Sequence, residues 1–243
     1  MKKRIFQEKA YDNPQFLKSP EARTLRMLSE YLEPLSRLEK LKVNSTVLFL
    51  GSSRANPHQK SSILAKYYWE AEELAYQLTN WAIPLKPKGK NFVICTGAGP
   101  GIMEAANRGA ARAGGKSIGM NISLPHEQHP NSYISPELSF VFHYFFMRKF
   151  WLIYKAKAVV AFPGGYGTLD EVFETLTLVQ TGKIFKKDLC LILYGEDYWR
   201  KIIDFDTLVE FKTISPEDVN LFSFSSTPRE AFSFLKKRLA KYL

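Results

Sequence analysis

A glycine-rich stretch, FPGGYGTLDE at residues 162–171, joins an apolar run to an amphipathic segment with helical spacing. Glycine lets a backbone approach a ligand closely, and the first N–H groups of a helix lack intrahelical partners and favour an anion. This order of residues predicts a phosphate-binding helix start. Thr168 would cap the helix or donate its hydroxyl to the phosphate. The predicted phosphate-binding residues are Gly164, Gly165, Tyr166, Gly167 and Thr168.

Glu171 follows Thr168 by three residues and therefore stands about one helical turn from the predicted phosphate site. Cleavage of the N-glycosidic bond of a nucleotide builds positive charge on the ribose ring. A fixed carboxylate can stabilise that charge and can hold or deprotonate the attacking water. The alternative is an acid that is favoured near a helix N-terminus by the dipole, a role that suits Asp170 better.

A second candidate pair, Arg148 and Lys149, interrupts the otherwise apolar run FVFHYFFMRKFWLIY at residues 140–154. Burying an unpaired charge is costly, so this pair must reach solvent, an acid or a ligand. The simpler alternative is that both side chains extend along an apolar surface and keep their charged ends in water.

The elements that position these residues alternate between apolar, β-rich runs and helical patterns. This order, with continuously apolar strands, predicts a doubly wound, Rossmann-like α/β fold in which helices cover both faces of a parallel sheet. The predicted strands are 46–54, 91–99, 117–123, 158–165, 189–195 and a short edge strand at 221–226. The predicted helices are 61–81, 102–114, 137–156, 168–182, 198–211 and 228–243, the last with Thr227 as its N-cap and Pro228 at its first position.

The chain of 243 residues is long enough for one sizeable core. Residues 1–42 carry amphipathic helical patterns without a strand, so they are interpreted as an N-terminal helical extension. Residues 43–243 are predicted to form a single Rossmann-like domain.

Three of the predicted strands end in small residues: GSSR at 51–54, TGAGPG at 96–101 and PGGYGT at 163–168. Ligands of open parallel sheets bind beyond the carboxyl ends of the strands, so the three turns predict one crevice with exposed backbone N–H groups. Neither the dinucleotide fingerprint nor the P-loop pattern is present. The residues predicted to complete the crevice are Gly51, Ser52, Gly97, Gly99 and Gly101.

The net charge of +10 suits anionic partners, but the charges are dispersed, which argues against a nucleic-acid role. The two cysteines, Cys95 and Cys190, lie in apolar runs and are interpreted as buried free thiols of a reducing compartment. No spacing of Cys, His or carboxylates indicates a metal site. Without a long apolar run or a secretory signal, we expect a cytoplasmic protein with no membrane segment.

The segments TGAGPGIMEAANRGA, MRK, PGGYGTLDE and QTGK resemble the LOG ("Lonely guy") family, whose members are often labelled lysine decarboxylase-like. The resemblance covers roughly residues 45–200 and is nearest to the longer bacterial members. Characterised members are nucleoside 5′-monophosphate phosphoribohydrolases, and the plant enzymes release active cytokinin.

The resemblance implies a catalytic role for Arg148 and Glu171. It implies phosphate and ribose contacts for Lys149 and for residues 164–168, and substrate contacts for Thr177 and Glu127. One residue departs from the family turn TGGGPG, because Ala98 stands at its middle glycine. A positive φ there would strain alanine, and we expect a tolerated local change.

The sequence thus predicts hydrolysis of a nucleoside 5′-monophosphate, AMP-like or a cytokinin riboside monophosphate, to free base and ribose 5-phosphate. No metal or organic cofactor is required. The resemblance implies at least a homodimer, and the aromatic-rich segment 137–151 would be its contact surface. The alternative is a non-catalytic carrier or sensor of nucleotide or molybdenum cofactor with the same fold. Lysine decarboxylation is disfavoured, because it normally needs a Schiff-base lysine with pyridoxal phosphate.

Overall fold

The structure is a computed structural model that describes residues 8–59, 61–88, 91–124, 129–185 and 189–243. In these ranges the strands are β1 Thr46–Leu50, β2 Val93–Thr96, β3 Ser117–Ile122, β4 Ser139–Phe142, β5 Ala156–Ala161, β6 Cys190–Tyr194 and β7 Phe222–Ser225. They form a parallel seven-stranded sheet in the order β4-β3-β2-β1-β5-β6-β7. The order reverses between β1 and β5, so the predicted doubly wound α/β fold is confirmed.

Helices cover both faces of the sheet and produce two buried cores. The helices are α1 Pro14–Lys18, α2 Arg23–Lys40, α3 Ile63–Ala82, α4 Ile102–Arg112, α5 Phe145–Tyr154, α6 Tyr166–Gln180, α7 Glu196–Ile202, α8 Phe205–Glu210 and α9 Pro228–Leu239. One core contains apolar side chains of α3, α4 and α9, and the other contains side chains of α2, α5, α6 and α7.

The prediction of one long helix over residues 137–156 is wrong. A short 3₁₀ turn leads into β4, which pairs with β3, and α5 begins only at Phe145. Phe140 and Phe142 are buried, whereas Val141 is 61% exposed. This alternation has the two-residue period of an edge strand, and the dense aromatic residues on either side of it conceal that period in the sequence.

The segment predicted as a helix over 198–211 is divided into α7 and α8. The Asp204 carboxylate accepts a hydrogen bond from the Thr207 N–H at 3.0 Å and so caps the second helix. The start of α9 is as predicted: Thr227 is its N-cap and Pro228 its first residue. The predicted edge strand near the C-terminus is also confirmed as β7.

The N-terminal helix α2 packs against α5. The Trp151 indole donates to the Glu30 carbonyl at 2.9 Å. The Glu30 carboxylate accepts the N–H groups of His143 at 2.7 Å and Tyr144 at 3.3 Å, immediately before α5 begins. The division of the chain at residue 42 stays a prediction. Among the helices of the described ranges, none has the combination of length and hydropathy that a membrane-spanning segment requires.

Candidate functional site

The three glycine-rich turns meet at the carboxyl ends of β1, β2 and β5, around a cavity of about 710 Å³. Main-chain hydrogen bonds join the turns. The Ser52 N–H donates to the Pro163 carbonyl at 3.0 Å, and the Ser52 carbonyl accepts the Ile102 N–H at 3.1 Å. The structure therefore places one residue of the first turn between the other two. The predicted site residues that line the cavity are Gly51, Ser52, Gly97, Arg148, Gly164, Gly165, Tyr166, Gly167, Thr168 and Glu171.

The turn at 163–168 is open at Gly165 and Gly167 but filled at Gly164, where an added Cβ would lie 2.1 Å from Oγ1 of Thr168. A Cβ added to Gly165 or Gly167 would meet no atom within 4 Å. Helix α6 begins at Tyr166, so Gly165 is its N-cap, and the prediction that Thr168 caps the helix is wrong. Thr168 lies in the first turn, and its N–H donates to the Gly165 carbonyl at 2.9 Å. Space is therefore open at the N-terminus of α6, where the first backbone N–H groups lack intrahelical partners, and this arrangement suits an anion.

The turn at 96–101 is filled by protein atoms. A Cβ on Gly97 would lie 2.3 Å from Nη2 of Arg148, and one on Gly101 would lie 2.3 Å from the Ser52 carbonyl oxygen. Gly101 has a φ of 71° and Ala98 has a φ of 68°, so alanine occupies the left-handed region that the family's glycine would adopt without strain. Gly99 and Gly101 lie outside the cavity lining.

Arg148 reaches the cavity from α5 and is held by main-chain carbonyls. Its Nε donates to the Met120 carbonyl at 2.8 Å, and its Nη2 donates to the Gly97 carbonyl at 3.4 Å. Burial lowers the pKa of Arg148, and the nearby Glu171 carboxylate opposes that change. The guanidinium keeps its charge, because its ordinary pKa is far above neutrality, and it can face an anionic or electron-rich ligand.

Glu171 is a buried carboxylate, 5% exposed, in the wall of the same cavity. Burial raises its pKa to about 7, although the charges of Lys149 and Arg148 act in the opposite direction. Among the described residues, Oε2 of Glu171 has no hydrogen-bond partner. A carboxylate with this pKa can accept a proton near neutral pH, which is what a general base must do.

Lys149 is not part of the cavity lining and forms ion pairs with two acids of α6. Its Nζ lies 2.8 Å from Oδ2 of Asp170 and 3.0 Å from Oε2 of Glu174. Burial would lower the pKa of Lys149, but the hydrogen bonds that it donates to Asp170 and Glu174 outweigh this effect, so its pKa is raised. Thr177 is exposed, and its hydroxyl donates to the Phe173 carbonyl rather than lining the cavity. Glu127 lies outside the described residues.

Sequence reasoning missed several residues that line the cavity. Tyr198 lies in α7 and donates its hydroxyl to the Gly164 carbonyl, so it holds the open turn from behind. The single glycine that follows β6, Gly195, was the available signal, because β6 ends at the same edge of the sheet as the three turns. Arg54 stands in the quoted turn GSSR and was given no role. The lining also includes the apolar residues Leu64, Met103, Ile122, Phe145 and Leu152.

Within the described part of the chain, no group of three or more His, Cys, Asp or Glu residues is arranged to hold a metal ion. Cys95 and Cys190 are buried free thiols. Burial raises the pKa of Cys95 to about 12 and that of Cys190 to about 11, so both remain protonated and unreactive near neutrality.

Comparison with known proteins relates the chain to one enzyme family. Residues 103–235 match the family model described as "Possible lysine decarboxylase". The probable cytokinin riboside 5′-monophosphate phosphoribohydrolase LOGL6 of Oryza sativa subsp. japonica is 34% identical over 90 residues, which are 37% of this chain and 35% of that protein. The corresponding enzyme LOG3 of Arabidopsis thaliana is 35% identical over 96 residues, 39% of this chain and 42% of its own. The match thus spans about two fifths of these relatives' length.

Solved structures show the same fold. The protein TM1055 superposes on 79% of this chain and 99% of its own, with a TM-score of 0.55 and 21% identity. A molybdenum cofactor (Moco) carrier protein from Chlamydomonas reinhardtii superposes on 82% of this chain and 99% of its own, with a TM-score of 0.53 and 19% identity.

Proposed function

From the premise that the chain belongs to the "Possible lysine decarboxylase" family, which includes the LOG phosphoribohydrolases, we propose that it hydrolyses a nucleoside 5′-monophosphate to free base and ribose 5-phosphate. Water adds to C1′ of the ribose, the N-glycosidic bond breaks, and the base leaves with a proton. The observation that carries the proposal is the buried Glu171 carboxylate, which shares a cavity with the open start of α6 and with Arg148.

The 5′-phosphate binds at the start of α6. The N–H groups of Tyr166 and Gly167 belong to the first turn of a 15-residue helix, where backbone donors are unpaired and the dipole favours negative charge. The open space at Gly165 and Gly167 lets phosphate oxygens approach these donors directly. The bound phosphate then fixes the position of the ribose.

Glu171 acts on C1′ and on the attacking water. As the N-glycosidic bond lengthens, the ribose acquires positive charge, and a carboxylate in a water-poor wall stabilises that charge strongly. Its pKa of about 7 also lets it take a proton from the water near neutral pH. Arg148 stays positive, neutralises negative charge on the bound nucleotide and orients it. The apolar lining contributed by Met103, Ile122 and Leu152 suits the face of a base.

A purine nucleotide, AMP-like or carrying a cytokinin base, is the substrate that we propose. The support is at the family level, since the curated relatives named above act on cytokinin riboside monophosphates. The proposed phosphate and ribose contacts do not depend on the base, so a panel of nucleotides with different bases is needed to identify the preferred substrate.

Lysine decarboxylation fits the site poorly. Such chemistry uses a lysine amine as a nucleophile towards a carbonyl, and that amine must be able to lose its proton. The pKa of Lys149 is raised by its two acid partners, and among the described residues no lysine lines the cavity.

The same premise supports a homodimer or a larger homo-oligomer in the cytoplasm. The surface of α5 next to the cavity exposes four large aromatic side chains, which is more than an isolated surface usually presents. They are Phe145, Phe146, Phe150 and Tyr154, with exposed fractions of 55%, 51%, 37% and 48%.

The proposed function is tested with a panel of nucleoside monophosphates, in which free base and ribose 5-phosphate are both quantified. We expect turnover by the wild type and a loss of at least about 10²-fold in kcat for Glu171→Gln, the size typical of a catalytic acid or base. Glu174→Gln is the matched control, because Glu174 lies on the same helix but contacts Lys149 outside the cavity.

A nucleotide or molybdenum cofactor carrier is the competing function, and the fold shared with the Moco carrier protein supports it. If no nucleotide is hydrolysed but one is bound in calorimetry, and Glu171→Gln binds it as tightly as wild type, the carrier function replaces the hydrolase. Equal turnover by Glu171→Gln and Glu174→Gln would also contradict the assignment of Glu171.

A further inference from the structure

We propose that Asn131 is a positioning residue for Arg148, and that it acts by holding the turn at 96–101 in a strained conformation. The kinetic part of this inference rests on the proposed function. The structural part, the place of the Arg148 guanidinium, is measurable without any turnover.

The strain lies at Ala98, which is fully buried and has a φ of 68°. Residues with a Cβ seldom adopt this region and persist there only where their surroundings enforce it. The methyl group itself is accommodated, because Gly119 of β3 leaves room for it: a Cβ on Gly119 would lie 3.0 Å from that of Ala98. The backbone conformation therefore needs a separate restraint.

Asn131 supplies that restraint through both its main chain and its side chain. Its backbone N–H donates to the Ala98 carbonyl at 2.9 Å. Its Nδ2 donates to the carbonyls of Ala98 and Gly99, each at 3.1 Å, and to Oδ1 of Asn107 at 3.0 Å. The two hydrogens of one amide group are thus shared among three oxygen acceptors, which holds these acceptors together.

The other side of Ala98 is fixed by the same network. The Ala98 N–H donates to the Thr96 hydroxyl at 3.0 Å, and that hydroxyl donates to Oδ1 of Asn107 at 2.8 Å. Asn107 is fully buried. Both peptide groups that flank Ala98 are therefore tied to Asn131 or to its partner Asn107.

The turn passes this restraint to Arg148 through Gly97. The Gly97 carbonyl belongs to the peptide group on the N-terminal side of Ala98, so a change in φ of Ala98 turns it relative to the rest of the turn. That carbonyl accepts from Nη2 of Arg148, and the same guanidinium occupies the space where a Cβ of residue 97 would be. If the turn relaxes, the guanidinium loses both its acceptor and its space.

The test compares Asn131→Ala in two backgrounds, the wild-type chain and Ala98→Gly. Glycine adopts a positive φ without strain, so in that background the turn no longer needs the Asn131 side chain. We expect Asn131→Ala to lower kcat/KM by about tenfold to hundredfold in the wild-type background, the scale of a small misplacement of a catalytic group. In the Ala98→Gly background we expect the same substitution to lower it by less than about threefold.

A spectroscopic readout follows Arg148 independently of activity. The Arg148 Nε–H, hydrogen-bonded to Met120, should give a protected NMR signal that Arg148→Lys identifies by its loss. We expect the signal to be lost or exchange-broadened in Asn131→Ala and to return when Ala98→Gly is added. This result would stand even if the wild type hydrolysed no nucleotide, an outcome that would overturn the proposed function alone.

The matched control is Asn91→Ala. The Asn91 side chain donates to the carbonyl of Lys42, another non-glycine residue with positive φ, at the opposite end of the sheet. Its loss should lower the melting temperature without changing kcat/KM or the Arg148 signal. Asn131→Ser is used if Asn131→Ala does not fold. An unchanged Arg148 signal in the folded variant, or an equal loss of kcat/KM in both backgrounds, would overturn the proposal.

Discussion

At Gly165 and Gly167 an added Cβ would meet nothing within 4 Å, whereas at Gly97 and Gly101 it would lie 2.3 Å from another residue. The turns at 163–168 and 96–101 each contain three glycines, one proline and one threonine, and they lie at the same edge of one sheet. In the first, Gly165 and Gly167 leave room for something outside the chain, whereas Gly164 leaves room for the Thr168 side chain. In the second, Gly97 and Gly101 leave room for the chain itself. A glycine-rich turn in a sequence therefore indicates a close approach, but it does not reveal what approaches.

The largest difference between the two turns is expected in stability. Gly101→Ala combines a positive φ with a collision against the Ser52 main chain, so we expect it to lower the free energy of unfolding by about 3–5 kcal/mol. Urea unfolding measures the change. Gly114→Ala has a similar φ but open space around the Cβ position, and should lower it by only about 1 kcal/mol. Equal losses of unfolding free energy in Gly101→Ala and Gly114→Ala would mean that the turn at 96–101 is not filled.

Glu171 is buried in the cavity wall beside the open turn, and the cost of burying its charge should make the free energy of unfolding depend on pH. Because the folded-state pKa is raised to about 7 from 4.5, the folded protein retains a proton that the unfolded chain has released. Stability is therefore lost as the pH rises through this window. The free energy of unfolding of Glu171→Gln should therefore rise relative to that of the wild type, by about 3 kcal/mol in total, as the pH increases from about 4.5 to above 7. Chemical denaturation at several pH values tests this, and a gain that does not vary with pH would contradict it.

Gly97→Ala separates activity from stability in the filled turn. The added Cβ would collide with the end of the Arg148 side chain, which can move, so we expect the free energy of unfolding to change by less than about 1 kcal/mol. The displaced guanidinium should lower kcat/KM by about 10²-fold. Chemical denaturation measures the free energy of unfolding of the variant, and initial rates measure its kcat/KM. A stable variant with wild-type kcat/KM would show that the position of Arg148 is unimportant.

The smallest effect is expected in the open turn. Gly167→Ala places a better helix former in the first turn of α6 and should raise the free energy of unfolding by about 0.5–1 kcal/mol. The same methyl group would occupy space intended for the phosphate, so KM should rise severalfold. A stabilised variant with unchanged KM would move the phosphate away from Gly167.

Much of the fold was predictable because the strands are short, buried and separated by turn residues. Parallel sheets bury both faces of their strands, so β1, β5 and β6 are visible as continuous apolar runs. β4 was missed because the strand has only four residues, too few to show its two-residue period clearly. It also lies within an aromatic segment where a helical interpretation fits as well.

The placement of the candidate site was predictable to the level of its turns. The carboxyl ends of parallel strands meet at one edge, so three glycine-rich strand ends had to lie together. The direction of individual side chains was not predictable. Lys149 is adjacent to Arg148, but successive residues of a helix point about 100° apart, and the acids that hold Lys149 come from another element. Asn131 was overlooked because most of its partners are main-chain carbonyls, which leave no trace in residue types.

Glu30 gives the N-terminal extension a specific part in the architecture of the site. Tyr144, the N-cap of α5, has no side-chain capping bond of its own, and the carboxylate that accepts its N–H comes from a helix more than a hundred residues earlier in the chain. The residues that precede the Arg148 helix are therefore held in place by hydrogen bonds to α2. A chain that began at residue 43 would retain every strand of the described sheet, yet it would leave the N–H groups of His143 and Tyr144 without their carboxylate acceptor and the Trp151 indole without its carbonyl acceptor. For expression and engineering, we therefore expect a shortened chain to need α2 to hold the start of α5 in place.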